Sequence, residues 1–241
     1  MKKPEIMRYD GGGFHNADLA ATYSRLYKGN TWKNQRIVTI IPAGPTIPPK
    51  VYLSHLNLQH PPNQPVVRFA AEGYEVGQAY SQMIENVINH PELSKWEYIL
   101  TLEHDNLPPA DGLIRLMQRL EDNPKLSAVS GLYYTKGYSG VAQIWGDPND
   151  PVLNFRPIPP DPNGGLVECC GTGMGFTLFR MSMFKDKNLR RPWFETRDGH
   201  TQDLWFWSDA RKNGHRCAVD CSVKVGHYDH EGKFGPPGMV W

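Results

Sequence analysis

Trp96–Asn106, WEYILTLEHDN, is the stretch from which the rest of the chain can be read. Tyr98, Ile99, Leu100, Thr101 and Leu102 form a short run rich in β-formers, the pattern of a strand buried on both faces of a parallel sheet. Glu103, His104 and Asp105 follow at once, and Pro108 and Pro109 then forbid ladder pairing. Over Asp111–Asp122 the apolar residues Leu113, Leu116, Met117 and Leu120 take up helical spacing. The acidic pair therefore belongs at the carboxyl end of a strand. In open α/β sheets that edge is where ligands bind, and two carboxylates there can hold a divalent cation against a phosphate. The competing reading is that these acids solvate a turn or cap the helix that follows.

Outward from this stretch the alternation repeats. Arg36–Ile41 (RIVTII) reads as a first strand ended by Pro42-Ala43-Gly44-Pro45, a weak helical pattern spans Lys50–Gln59, and Pro65–Ala70 reads as a second strand. Gly77–Asn89 has helical spacing at Ala79, Met83, Val87 and Ile88, and Leu126–Tyr133 makes a fourth strand. Strands alternating with helices at these distances predict an α/β fold with a parallel, doubly wound sheet in the first half. After Gly137 the pattern changes. Gly146–Gly165 is too rich in Gly and Pro for a core element, and reads as an excursion over the sheet. Strands follow at Leu166–Cys170 and Gly175–Phe179, a helix at Thr201–Asn213 stopped by Gly214, and short strands at Arg216–Val219 and Ser222–Val225 ending in Gly226-His227. The expected organisation is an arm over residues 1–35 and one domain over 36–241, with a nucleotide-binding half to 136 and an acceptor-binding half from 137.

Composition narrows the function classes. The 241 residues are 39% hydrophobic, enough for one sizeable core, and 26 Lys plus Arg against 25 Asp plus Glu leave no overall field toward a polyanion or a membrane. Lys2, Lys3, Arg8, Arg25, Lys28, Lys33 and Arg36 against Glu5, Asp10 and Asp18 make the first 36 residues modestly basic, a surface for a polyanion or simply a solvated one. No apolar run has the length of a membrane span and no signal-peptide core opens the chain, so a cytoplasmic protein is expected. Cys169, Cys170, Cys217 and Cys221 fit neither a zinc ribbon nor a redox CxxC and are expected as buried free thiols.

Three further segments could carry chemistry. Gly171-Thr172-Gly173-Met174-Gly175 is followed by a strand, which argues against a dinucleotide fingerprint; Gly173 and its neighbours either admit a ligand to the backbone or form a bulge or turn. Asp203 follows the candidate N-cap Thr201 and shares a helical face with Phe206 and Trp207. It is either a first-turn carboxylate favoured by the helix dipole or a general base raised in pKa by an apolar pocket. His227 ends a late strand, before Tyr228-Asp229-His230, where it is either a surface imidazole or a ligand beside Glu103 and Asp105, a donor set suited to Mn²⁺. Trp193, Trp205 or Trp207 could form part of an acceptor wall or belong to the core, the core reading suiting Trp207 in particular because it shares the buried face.

Taken in order, RIVTIIPA, WEYILTLEHDN, VECCGTGMGFTLFRMSMF, TQDLWFW and VGHYDH resemble the GT-A fold nucleotide-sugar glycosyltransferases, close to family 2 and small phage or bacterial relatives, over roughly Arg36 to His230. The resemblance implies a Rossmann-like, mostly parallel sheet flanked by helices. It implies a nucleotide-diphosphate sugar donor, a divalent Mn²⁺ or Mg²⁺ cofactor, and a hydroxyl-bearing acceptor such as a glycan, a small molecule or, less readily, a modified nucleic acid. Pro42 and Ala43 would line the nucleotide, the DxD-like Glu103-His104-Asp105 would contact nucleotide and metal, His227 would complete the metal site, and Asp203 would be the base of an inverting transfer. Gly173, Trp193, Gln202 and Trp205 would face the substrate. Three positions depart from the family pattern: Glu103 replaces the first Asp, Gln202 replaces the Glu before the base, and no arginine stands near Gln78–Ser81. Alternatives are a retaining enzyme of the same fold, a nucleotidyltransferase, for which the loop PAGPTIPP lacks a glycine-rich basic phosphate cradle, and a non-catalytic nucleotide-sugar or carbohydrate-binding module.

Overall fold

β1 (Ile37–Ala43), β2 (Val67–Glu72) and β3 (Tyr98–Leu102) run parallel, with β1 in the middle, in a computed structural model that describes residues 35–61, 65–137, 140–197, 199–229, 232 and 238–241. Residues 1–34 and His230 lie outside the described residues, and with them almost all of the expected basic arm. β5 (Ala128–Leu132), β7 (Leu166–Cys169), β9 (Phe176–Arg180) and β10 (Cys217–Lys224) complete a seven-stranded sheet of order β2-β1-β3-β9-β5-β10-β7. The sheet is mostly parallel, with two exceptions. β9 runs antiparallel between β3 and β5, and β7 runs antiparallel on the β10 edge.

Helices cover both faces of this sheet because its strands are apolar on both sides. Val38, Ile40, Ile99 and Phe179 enter one core cluster, while Ile37, Ile41, Tyr98, Leu100, Leu102 and Leu178 enter the other, as the two-residue strand period requires. α1 (Pro49–Asn57) and α3 (Gly112–Asp122) lie on the second face, where Leu113, Leu116 and Leu120 are fully buried. Each such side chain contributes roughly 1.5–3 kcal/mol of burial. α2 (Val76–Asn89) packs on β1 and β2 on the first face through Tyr80, Met83, Ile84 and Val87. Beside it α4 (Met181–Phe184) and α5 (Gln202–Lys212) close an aromatic cluster of Phe179, Phe184, Trp193, Phe194, Phe206 and Trp207.

The two short strands expected over Arg216–Val225 are one strand, β10, whose pairing with β5 slips between Asp220 and Lys224. β10 advances four residues there while β5 advances one, and an odd number of extra residues reverses which face the side chains meet. Cys217, Val219 and Cys221 accordingly enter the first cluster, whereas Val223, of the same parity, enters the second. The four cysteines are free and buried. Among the described residues no helix is long and apolar enough to cross a membrane.

A second, three-stranded sheet positions the site. β4 (Asn106–Leu107) leaves the acidic loop and pairs antiparallel with β11 (Gly226–Asp229), which pairs with β12 (Gly238–Val240). His227 stands opposite Asn106, and the Tyr228 N–H donates to the Asp105 carbonyl at 2.8 Å. A residue 122 positions later in the chain is thereby fixed beside the acidic loop.

Candidate functional site

A cleft of about 800 Å³ opens at the carboxyl ends of β1, β2 and β3, within the size range of small-molecule sites. Pro42 and Ala43 at the end of β1 with Gly44 after it, Ala71 and Tyr74 at the end of β2, and Glu103, His104 and Asp105 after β3 line it on one side. Thr135, Lys136, Gln143, Thr201, Gln202 and His227 line the other.

The two acids of the loop live in opposite environments. Tyr80, wholly buried on α2, donates its hydroxyl to Glu103 Oε1 at 2.8 Å. Burial, and then the charge of Asp105, push Glu103 up to about 7 against that hydrogen bond. Burial would raise Asp105 too, but His227 and Lys136 outweigh it and hold this carboxyl well below the usual range. Lys136 Nζ lies 2.5 Å from Asp105 Oδ2, and His227 Nε2 lies 3.6 Å from the same oxygen, beyond a hydrogen bond. Asp105 Oδ1 is buried with no hydrogen-bond partner among the described residues.

His227 is oriented from behind. Its Nδ1 lies 2.7 Å from the carbonyl oxygen of Tyr134, which can only accept, so Nδ1 carries the proton and Nε2 faces Asp105. Tyr133 meets the imidazole edge-on at 5.7 Å and its hydroxyl accepts from the Gly175 N–H at 2.7 Å. Burial works against the charged imidazole, yet Asp105 more than offsets this and raises the pKa of His227.

Asp203 is the second residue of α5, next to the cleft residue Gln202 and two residues after Thr201, and is itself buried. The Thr201 hydroxyl donates to its Oδ1, as does the Leu204 N–H at 2.8 Å, so both bonds end on one oxygen. Burial raises its pKa in spite of them, and its charge is felt at Glu103 and Tyr133. Asp203 is thus a first-turn carboxylate whose pKa burial raises.

Other expected substrate residues sit differently. Trp193 is 2% exposed, edge-on to Phe184 at 5.8 Å, so it belongs to the core and does not face the cleft. Trp205 is half-buried between the guanidinium groups of Arg190, 3.5 Å from its ring centroid, and Arg197, at 4.6 Å, outside the cleft lining. Gly173 does not admit a ligand, since a Cβ there would collide with the Tyr133 hydroxyl and the Gln143 amide; its smallness serves packing. Gln202 does line the cleft, as do Pro42, Ala43 and His104.

Tyr80, Tyr133 and Lys136 escaped the sequence reading. Tyr80 lies next to Ala79 in the apolar spacing of α2, where the sequence carries no signal for its hydroxyl's partner. Lys136 had a usable signal: it follows β5 by four residues, at the same sheet edge that singled out Glu103 and Asp105.

A divalent cation has a partial fit here. Among the described residues no three His, Cys, Asp or Glu side chains are grouped to hold a metal ion by themselves. Asp105, with Oδ1 unpartnered among the described residues and Oδ2 3.6 Å from His227 Nε2, would with that imidazole supply two ligands, and Mg²⁺-type sites commonly take one or two protein ligands and leave the rest to water and substrate phosphates.

No protein-family model and no curated protein matches the chain. Among solved structures, that of A197 from STIV superposes with a TM-score of 0.59 at 16% identity, covering 85% of this chain and 93% of that one. A putative glucose-1-phosphate thymidylyltransferase from Bacillus anthracis in complex with a sucrose superposes at a TM-score of 0.46 and 14% identity, covering 79% and 89%, too distant to argue from. The first of these likenesses shows a shared fold.

Proposed function

We propose that the chain is a glycosyltransferase that moves a sugar from a nucleoside-diphosphate donor to an acceptor hydroxyl with inversion, assisted by a divalent cation. The observation that carries this reading is the strand-end cleft in which Asp105 Oδ2 lies 3.6 Å from His227 Nε2 beside Lys136, with Asp203 buried directly after the lining residue Gln202 in sequence. Pro42, Ala43 and His104 line the stretch that would take the nucleotide. Asp105 and His227 would hold Mn²⁺ or Mg²⁺, and such an ion offsets the charge that grows on the departing diphosphate. Glu103, tied to Tyr80 and protonated up to about pH 7, would reach donor hydroxyls or a metal-bound water. Asp203 would accept the acceptor's proton through the carboxylate oxygen opposite its two hydrogen bonds.

A nucleotide-release assay over UDP-, GDP- and CDP-sugars, with chelator or with Mn²⁺, tests the proposal on wild-type and Asp203→Asn protein. The expected result is metal-dependent release from at least one donor. In Asp203→Asn, kcat falls by roughly 10²–10⁴ while donor affinity stays nearly constant. Full activity in chelator counts against the cation, and a product that keeps the donor's anomeric configuration counts against Asp203 as base of an inverting step.

A further inference from the structure

Lys136 is the one lysine or arginine among the described residues that line the cleft, and it is spent on Asp105. Its placement does not depend on that ion pair. The Thr135 N–H donates to the Val141 carbonyl and the Thr135 hydroxyl accepts from the Val141 N–H, both at 2.9 Å. One residue earlier, the Tyr134 carbonyl is held by His227. The backbone leading to Lys136 is therefore held on one side by Val141 and on the other by the His227 side chain. From it a flexible four-carbon stem brings an ammonium with three donors to the cleft wall, 20% exposed.

A divalent cation and an ammonium held at close range on one carboxylate group repel each other strongly. A divalent ion arriving at Asp105 and His227 meets an ammonium already 2.5 Å from Oδ2. A diphosphate entering the cleft meets two acids, Glu103 and Asp105, and no other lysine or arginine among the described lining residues. Both conflicts are relieved by one movement of one side chain.

We propose that Lys136 is an exchangeable counter-ion: it neutralises Asp105 in the empty cleft and passes to the donor's diphosphate when a divalent cation takes Asp105. Lys136 is then a substrate-binding residue, and its release from Asp105 couples metal entry to nucleotide entry. The proposal rests on the glycosyl-transfer reading, from which its test is separable.

The test is isothermal titration of wild-type, Lys136→Met and Lys136→Arg protein, with Mn²⁺ alone and with UDP, GDP and CDP at saturating Mn²⁺. Removing the ammonium removes a competitor for the metal and a partner of the phosphate. Lys136→Met should therefore bind Mn²⁺ more tightly and nucleoside diphosphate more weakly, each by roughly ten- to hundredfold, the worth of one charge-assisted contact. Lys136→Arg should keep nucleotide affinity within a few-fold of wild type. Lys136→Gln provides the same two readings if Lys136→Met does not fold, with circular dichroism as the check. Changes of the same sign, or no change in either titration, overturn the exchange while leaving wild-type nucleotide binding to support the broader reading. If wild type binds no nucleoside diphosphate at saturating Mn²⁺, the glycosyl-transfer reading fails and the exchange fails with it.

Discussion

Glu103 and Asp105 are two residues apart on one loop, yet the fold drives their acidities in opposite directions, and stability should record the difference. Glu103 is raised from 4.5 to about 7, chiefly by burial. Below pH 4.5 it is protonated in both the folded and the unfolded chain, and its contribution is fully retained. As pH rises toward 7 the unfolded chain gives up this proton first, so that contribution is progressively lost. In chelator, Glu103→Gln should leave thermal stability near the wild-type value at pH 4 and raise it at pH 8, because the amide still accepts from Tyr80 without burying a charge. Equal effects at both pH values would contradict the burial of this carboxyl. At this scale the sequence was legible where a residue's position along a strand implied its surroundings. It placed Glu103, Asp105 and His227 at a common sheet edge, and the fold does bring them into one cleft. Tyr80 and Tyr133 were not legible, since a buried tyrosine on an apolar stripe shows its hydroxyl's partner only after the stripe is packed. Trp193 misled for the same reason: an aromatic face suits a sugar and a core alike.

Among the elements, the insertion of β9 between β3 and β5 matters most. Periodicity located this strand but carried no information on its direction or neighbours, which depend on pairing over 76 residues, as between Thr101 and Thr177. The glycines just before it have a physical reason that only the packed structure exposes. A Cβ on Gly175 would stand 2.5 Å from Asn106 Oδ1 and 2.8 Å from Tyr133 Cζ, where the β9 entry crosses the acidic loop. Gly175→Ala should accordingly destabilise the fold by about 1–3 kcal/mol through overpacking. Urea denaturation measures this directly, and a change under about 0.5 kcal/mol, the range of an innocuous surface substitution, would show that the crossing is looser than described. The register slip in β10 was equally hidden, because Arg216–Val225 reads as two alternating runs whether the chain turns or bulges between them.

The whole molecule has near-balanced charge, one mixed seven-stranded sheet with helices on both faces, and a small second sheet whose task is to bring β11 against the acidic loop. The shared fold with A197 from STIV concerns this architecture. The proposed chemistry rests on what the architecture assembles: a strand-end cleft, and on Asp105 one oxygen unpartnered among the described residues and one shared by a lysine and a neighbouring imidazole. The measurement that tests the central claim most directly is titration of UDP, GDP and CDP into wild-type and Asp105→Asn protein, with and without Mn²⁺. At least one nucleotide should bind about tenfold or more tightly to wild type when Mn²⁺ is present, and Asp105→Asn should lose that gain. Nucleotide affinity that ignores Mn²⁺, or a gain that survives in Asp105→Asn, would contradict a cation held between Asp105 and the donor's diphosphate.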